Sequence, residues 1–235
     1  MNTPAEGPGP MAQRNPPKRQ MLTDDVYKTV RNHLLAGRFK PGSWLNLDQL
    51  ARQLNVSNTP IRQALGRLEA EGLVTKLPYR GFAVANALDM ETVEDIYFGR
   101  NLLEPTLASL AAQKASPDEL DELGRLLQRI DVIVARDPAD WADGHVKACL
   151  EADETFHRTI SRMGGNKITE QMAAWLQDRM MPNRSLFLRG DAAAKSHSEH
   201  LAVFAALRDG NPQAAENAMK SHLDAALGRF RSASA

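Results

Sequence analysis

Apolar residues at Leu22, Val26, Val30 and Leu34 recur at the spacing of one helix face, and Gly37 and Pro41 mark its exit. Leu47, Leu50 and Leu54 form a shorter stripe, stopped by Asn55, a residue that tolerates the left-handed conformation of a helix end. Ser57 as a cap and Pro60 in the first turn open a third helix, whose Ile61, Ala64, Leu65 and Leu68 share one side and which closes at Gly72. Two β-runs, 73–77 and 82–85, flank Pro78-Tyr79-Arg80-Gly81 and predict a hairpin. Beyond Asn86 every pattern is helical. Asp89 opens a long helix to about Lys114, with a kink expected at Pro105, and Ser116-Pro117-Asp118-Glu119 is a capping box with proline at the first helical position. Further helices are predicted over about 139–163, ending at Gly164-Gly165, over 166–188 with an interruption near Pro182, over 191–209, and from Asn211-Pro212 to about 231.

The predicted fold is mainly α: three helices and a hairpin over residues 21–85, the order of a winged helix-turn-helix, then an antiparallel bundle of six helices over 88–232. Residues 1–20 hold five of the 13 prolines and no apolar period, which predicts a disordered tail. Hydrophobic residues at 43% and charged residues at 25% are the ordinary balance of a globular chain of 235 residues. No apolar run approaches the roughly 20 residues of a membrane span. The single cysteine, Cys149, excludes an internal disulfide and fits a cytoplasmic protein.

Net charge is zero but divided. Residues 1–85 carry 12 Lys+Arg against 6 Asp+Glu, and the remainder 17 against 23. A basic first third suits a polyanion such as duplex DNA. At 100° per residue, Thr59, Arg62, Gln63 and Gly66 lie opposite the apolar side of the third helix. That face suits a major groove: Arg62 can pair with guanine, Thr59 or Gln63 can reach a base edge or a phosphate, and Gly66 leaves room for close approach. Ser57, Asn58 and the free N–H groups of the first turn suit a phosphate, while Arg80-Gly81 at the hairpin tip can touch the backbone or the minor groove.

The bundle carries a different chemistry. Asp153 and His157 are i, i+4 on one helix, so their side chains project together. His200 and His222 stand at equal distances from the turn at Gly210-Asn211-Pro212 and can face each other across two antiparallel helices. Converging, one carboxylate and three imidazoles would bind a divalent ion, zinc first, with nickel or manganese as alternatives. Spacing alone favours a surface ion pair for Asp153 and His157, and allows His197 in place of His200.

Two resemblances sharpen this picture. Val56-Ser57-Asn58-Thr59-Pro60-Ile61-Arg62-Gln63-Ala64-Leu65, then Arg67-Leu68-Glu69-Ala70-Glu71-Gly72-Leu73-Val74 and Arg80-Gly81-Phe82-Ala83-Val84, resembles the GntR-type winged-helix regulators. The resemblance covers residues 21–85 and implies an operator-reading surface of Ser57, Asn58, Thr59, Arg62, Gln63, Gly66, Arg67, Arg80 and Gly81. Asn58 stands where the family usually has arginine and Gln63 where it has glutamate, which implies an altered operator preference. Asp153-Glu154-Thr155-Phe156-His157, Glu199-His200, Ser221-His222-Leu223 and the turn Gly164-Gly165-Asn166 resemble the FCD ligand-sensing domain of the FadR subfamily, over residues 88–230. That resemblance implies a metal held by Asp153, His157, His200 and His222. It also implies a small carboxylate effector met by Arg100, with Asn166 and Arg179 as further contacts, and a homodimer on a palindromic operator. For Arg100, an ion pair with Glu104 at i+4 is the competing expectation.

The whole reads as a DNA-binding transcriptional regulator, expected to be a repressor. The alternative is a metal-dependent helical-bundle enzyme. Against it, the four ligands would fill a tetrahedral shell, and the sequence holds no nucleophile elbow and no phosphate-cradling glycine loop. Glu151 and Glu154 are poorly placed as bases, and Cys149, four residues before Asp153, reads as a small buried hydrophobe.

Overall fold

The computed structural model of the chain describes residues 18–35, 38–137, 140–141, 143–183 and 191–234. The first unit consists of α1 (Lys18–Leu35), β1 (Trp44–Leu45), α2 (Leu47–Leu54), α3 (Asn58–Ala70), β2 (Val74–Leu77) and β3 (Gly81–Val84). Helix α1 starts before Leu22, so residues 18–20 of the expected tail are helical, and the rest of that tail lies outside the described residues, as does Gly37. Asn55 ends α2 at φ 53°, ψ 47°, as its position predicts. The hairpin is present with one addition: the sheet has three antiparallel strands in the order β1-β3-β2, with Trp44 opposite Ala83. Two residues are too short a run to show an alternation, so β1 has no signature in the sequence. Val26, Val30, Leu50, Ile61, Leu65, Leu68 and Phe82 close the core of this unit.

The second unit is built of α4 (Met90–Lys114), α5 (Pro117–Val134), α6 (Asp143–Met163), α7 (Lys167–Arg179), α8 (Asp191–Arg208) and α9 (Pro212–Ser234). Asp89 caps α4 through Thr92 N, and Ser116 and Glu119 close the predicted capping box of α5. The assigned helix α4 runs on through Pro105. Helix α7 ends at Arg179, earlier than the apolar pattern suggests; residues 181–183 make one more helical turn and 184–190 lie outside the described residues. Gly164, after α6, sits where a Cβ would lie 2.9 Å from the Leu107 side chain, so only glycine lets the end of α6 approach α4 this closely.

The two units share a helix. Val146 and Leu150 of α6, with Met181, are buried in the core of the first unit, whereas Phe156, Ile160 and Met163 of the same helix belong to the core of the bundle.

Candidate functional site

On α3 the described geometry separates two groups of expected DNA contacts. Ser57, Asn58, Thr59, Arg62 and Gly66 are exposed. Ser57 occupies the N-cap position of α3, but its side chain makes no cap hydrogen bond, so its hydroxyl is not tied to the helix start. Asn58 Nδ2 donates to Asp48 Oδ1 at 2.6 Å, fixing the start of α3 against α2. A Cβ on Gly66 would meet nothing within 4 Å, so no packing demand selects glycine there. Gln63 and Arg67, by contrast, are engaged by α1. Gln63 Oε1 accepts from Thr23 Oγ1 at 3.1 Å, and Arg67 pairs with Asp24 while its guanidinium lies 3.9 Å from the Tyr27 ring centre. Helical spacing put Gln63 on the outward side and the family resemblance added Arg67, but neither could show that α1 crosses that edge.

The hairpin tip and α3 border one groove of about 520 Å³, which Arg62, Lys76 and Arg80 line together with Asn58, Trp44 and Tyr79. Tyr79 turns at φ 60° and is fully exposed, Gly81 follows at φ 90°, and Trp44 is 65% exposed. Three cations and two open aromatic faces beside a reading helix suit a phosphate backbone. Lys76, Trp44 and Tyr79 escaped the sequence reading; the aromatic residues were masked by a strand and a turn too short to reveal a face.

In the bundle, Asp153 and His157 of α6, His200 of α8 and His222 of α9 are all buried, and one potential ligand atom from each lies within 4.8 Å of the others. The surface-pair reading of Asp153 and His157 therefore fails. His197 is also buried, but its Nε2 lies 2.7 Å from Asp131 Oδ1 and it is not among the four converging residues, so His200 is the histidine that α8 brings to the cluster. Carboxylates hold two of the rings from behind. His157 Nδ1 is 2.7 Å from Glu104 Oε2, and His222 Nδ1 is 2.8 Å from Glu199 Oε2. With a proton on each Nδ1, both Nε2 atoms present lone pairs, and they face each other at 3.2 Å. Two such lone pairs repel unless a positive charge lies between them. A shared metal satisfies this, since metal–nitrogen bonds of about 2.0–2.1 Å place two nitrogens roughly 3.3 Å apart at a tetrahedral angle. The residues fit a divalent ion: three imidazoles and one carboxylate, with partners behind the rings.

Electrostatics keep the His157 ring neutral. Burial depresses His157, against the pull of Glu104, to about 4. Burial raises Glu104, but Arg100 and His157 outweigh it and hold the carboxyl well below its ordinary value. Glu199 is likewise lowered by Arg229, which grips it through two hydrogen bonds of 2.6 and 2.8 Å, and by His222. Arg100 is almost fully buried, with Nε 2.6 Å from Glu104 Oε1, so the ion pair at i+4 is formed. Asn166 and Arg179 are not brought to the cluster. Asn166 is exposed and caps α7 through Thr169 N; Arg179 is exposed beside Trp175. A cavity of about 20 Å³ adjoins Asp153 and His200, walled by Leu127, Ile130, Cys149 and Ala193. It holds about one water.

The face of α6 next to the ligands grips the first unit. Arg31 of α1 pairs with Glu154, and also with Glu71 at 3.2 Å; Arg158 joins Glu154 at 3.2 Å and pairs with Asp178 of α7. Glu154 and Arg158 each follow a metal-ligand position by one residue.

Comparison with known proteins agrees with this architecture. The family model "Bacterial regulatory proteins, gntR family" matches residues 22–84, and that of the FCD domain matches 95–225. The Nta operon transcriptional regulator of Aminobacter aminovorans is 31% identical over 173 residues, 73% of this chain and 76% of the relative. The HTH-type transcriptional repressor GlaR of Escherichia coli K12 is 27% identical over 85% of this chain and 91% of its own length. E. coli McbR/YncC shares the fold with a TM-score of 0.73 at 22% identity, over 90% of this chain and 98% of that one. These families and relatives are regulators, not enzymes. The chain belongs to the gntR family of bacterial transcriptional regulators, with an amino-terminal helix-turn-helix DNA-binding domain and a carboxy-terminal FCD domain.

Proposed function

We propose that this regulator is a metal-holding, effector-controlled repressor that grips a palindromic operator as a homodimer in the cytoplasm. One observation carries the reading: α6 bears Asp153 and His157 toward the buried cluster and, one residue after Asp153, Glu154 toward Arg31 of the DNA-binding unit, with Arg158 pairing Glu154 from the same helix. Asp153, His157, His200 and His222 would hold the ion, with zinc the first expectation from the nitrogen-rich set and nickel or manganese next. When bound, the ion supplies a Lewis-acidic point that attracts a small carboxylate.

The chain's own residues do the rest. Glu104 and Glu199 fix the His157 and His222 rings. Arg100 is the buried cation proposed for the effector, its charge balanced by Glu104 until a second carboxylate shares it. The 20 Å³ cavity is too small for an organic acid, so entry requires α5, α6 and α8, which line it, to part. A shift of α6 then pulls on Arg31 and on the apolar seat of Val146 and Leu150, changing how the reading helices are held. Arg62, Thr59 and Gly66 read the groove; Ser57, Asn58, Arg80 and Gly81 hold the backbone.

The test combines elemental analysis of the purified protein with operator binding measured with and without small carboxylic acids. About one divalent ion per chain is expected, absent in His157→Ala and His222→Ala, together with an acid that weakens wild-type operator binding several-fold or more. A full metal complement in both variants would show the ligands to be misassigned.

A further inference from the structure

Two open grooves flank the start of α3, and two residues border both. One is the groove of about 520 Å³ walled by Arg62, Lys76 and Arg80; the other, of about 700 Å³, runs past Arg52 and Ser57, and Asp48 and Asn58 stand in the wall of each. Among the described residues lining the pair, four are cations and Asp48 is the one anion. A carboxylate on a face that meets phosphates repels them, so it weakens the hold on DNA in general. Nor does α2 need this side chain as a cap, because Asn46 closes that end by accepting from Gln49 N at 2.9 Å. The carboxylate is instead turned to α3: Asn58 Nδ2 donates to Asp48 Oδ1 at 2.6 Å. That bond fixes the amide, with Nδ2 toward α2 and Oδ1 away from it. The pair is rich in acceptors, two carboxylate oxygens and an amide oxygen against one remaining N–H. Asn58 is the first residue of α3, and the first turn of a reading helix is the part that meets base edges.

We infer that Asp48 and Asn58 together form a specificity-determining acceptor site, which reads an exocyclic amino group in the major groove beside the guanine taken by Arg62. That group is the N4 amino group of cytosine or the N6 amino group of adenine. A carboxylate accepts from cytosine N4, and an asparagine amide pairs with adenine N6 and N7. Guanine and thymine offer acceptors at the same place, O6 and N7 or O4, which carboxylate oxygens reject. Asp48 thus gives up general affinity for choice of sequence. Gln63 and Arg67 are held by α1, so the donors of Arg62 and the acceptors of the Asp48–Asn58 pair are left as complementary halves of one code. The inference rests on α3 as the reading helix, moves Asn58 from the backbone to a base edge, and adds a residue of α2 that decides a base.

Selection from randomised duplexes by the full-length protein, followed by sequencing, tests it for wild type, Asp48→Ala and Arg62→Ala. Wild type should enrich a half-site with a guanine and, next to it, a fixed cytosine or adenine; cytosine assigns the contact to the carboxylate, adenine to the Asn58 amide. Asp48→Ala should keep the guanine, lose the neighbouring preference by about 10-fold, and bind random duplex more tightly at low salt. A merely structural role for Asp48 would change stability and leave base preference alone. The selected duplex is then made with an analogue lacking the amino group, purine for adenine or pyrimidinone for cytosine. Wild type should bind it about 10-fold more weakly and Asp48→Ala no more weakly than the intact site. An unchanged base preference in Asp48→Ala, or an equal loss on the analogue in both proteins, would overturn the proposal. Should Asp48→Ala fail to fold, Asp48→Asn keeps an acceptor for Asn58 Nδ2 without the charge, and must likewise relax the preference and tighten random binding. Arg62→Ala separates the two claims: it should lose the guanine and keep the amino-bearing base, whereas no change of preference in that variant would remove α3 itself from the reader's role.

Discussion

Glu199 illustrates how a residue outside the ligand set governs it. It receives two hydrogen bonds from Arg229 and stands behind His222, so it fixes which ring nitrogen is left for the ion. Glu199→Gln is expected to weaken metal affinity by roughly 10–100-fold, as loss of such a partner typically does, with the fold retained. Competition with a chromophoric chelator measures it. Gly66 gives a second single-residue test. Its Cβ position is open, so Gly66→Ala should stabilise α3 by about 0.5–1 kcal/mol in thermal unfolding. A fall in operator affinity in the same variant would mark the glycine as selected for close approach to DNA; an unchanged affinity would leave no reason for it. Arg62→Ala is expected to cost about 1–3 kcal/mol of operator binding, with metal content untouched. The exposure of Gly66 and Arg62 and the meeting of Asp153, His157 and His222 were legible in the sequence because helical spacing assigns faces. The choice of His200 over His197 was not, since both project from related faces of α8 and only the neighbours, Asp153 for one and Asp131 for the other, decide.

At the scale of the element, α6 joins the cluster proposed to hold a metal to the DNA-binding unit. One of its faces is buried around Asp153 and His157, and the adjacent face carries Glu154 and Arg158. Arg31→Ala removes a guanidinium held by Glu71 and Glu154, both partly buried, leaving Glu71 without this cation and Glu154 with Arg158 alone. Metal stoichiometry should stay the same, whereas the change in operator affinity caused by an acid should shrink; an unaltered response would place the coupling elsewhere. Protonation acts on this helix as well. The folded protein holds His157 near 4, below the ordinary value of 6.5, so between those values the unfolded chain binds more protons than the folded one. Stability of the metal-free protein should therefore be full above about pH 6.5 and fall by roughly 3 kcal/mol as pH drops toward 4. Urea unfolding in chelator at pH 7 and pH 4.5 checks the sign, and His157→Gln should flatten the dependence. The sequence showed α6 as a helix with a paired carboxylate and histidine, but its second role depends on where α1 comes to rest.

The whole molecule joins a basic reading unit to an acidic sensing bundle through a shared core rather than a loose tether. Val146, Leu150 and Met181 complete the apolar interior around α1 and α3, so the two units cannot separate without exposing side chains that each stabilise by about 1.5–3 kcal/mol when buried. Val146→Ala should loosen this seat at a cost of order 1–3 kcal/mol. It is expected to broaden the thermal transition as the reading unit melts before the bundle. A single sharp transition would show that the ion pairs of Arg31 suffice. Neither the docking nor its strength was visible in linear order, because no spacing distinguishes Val146 and Leu150 from the other apolar residues of α6.

The chain by itself determined what is local and periodic: the described helices close to their places, the capping box of α5 and the left-handed helix ends, the hairpin, the outward side of α3, and four residues whose chemistry suits a divalent ion. These follow from backbone preference and from apolar spacing, which act within a few residues. Tertiary packing decided what depends on distant neighbours. It turned Gln63 and Arg67 toward α1, added β1 to the sheet, and buried Arg100 against Glu104. It also sent His197 to Asp131 and set Trp44 and Tyr79 beside the reading helix. Apart from the i+4 pair of Arg100 and Glu104, whose burial alone depends on the bundle, these rest on residues far apart in the chain, and no period in a sequence records which of two suitable side chains will find its partner.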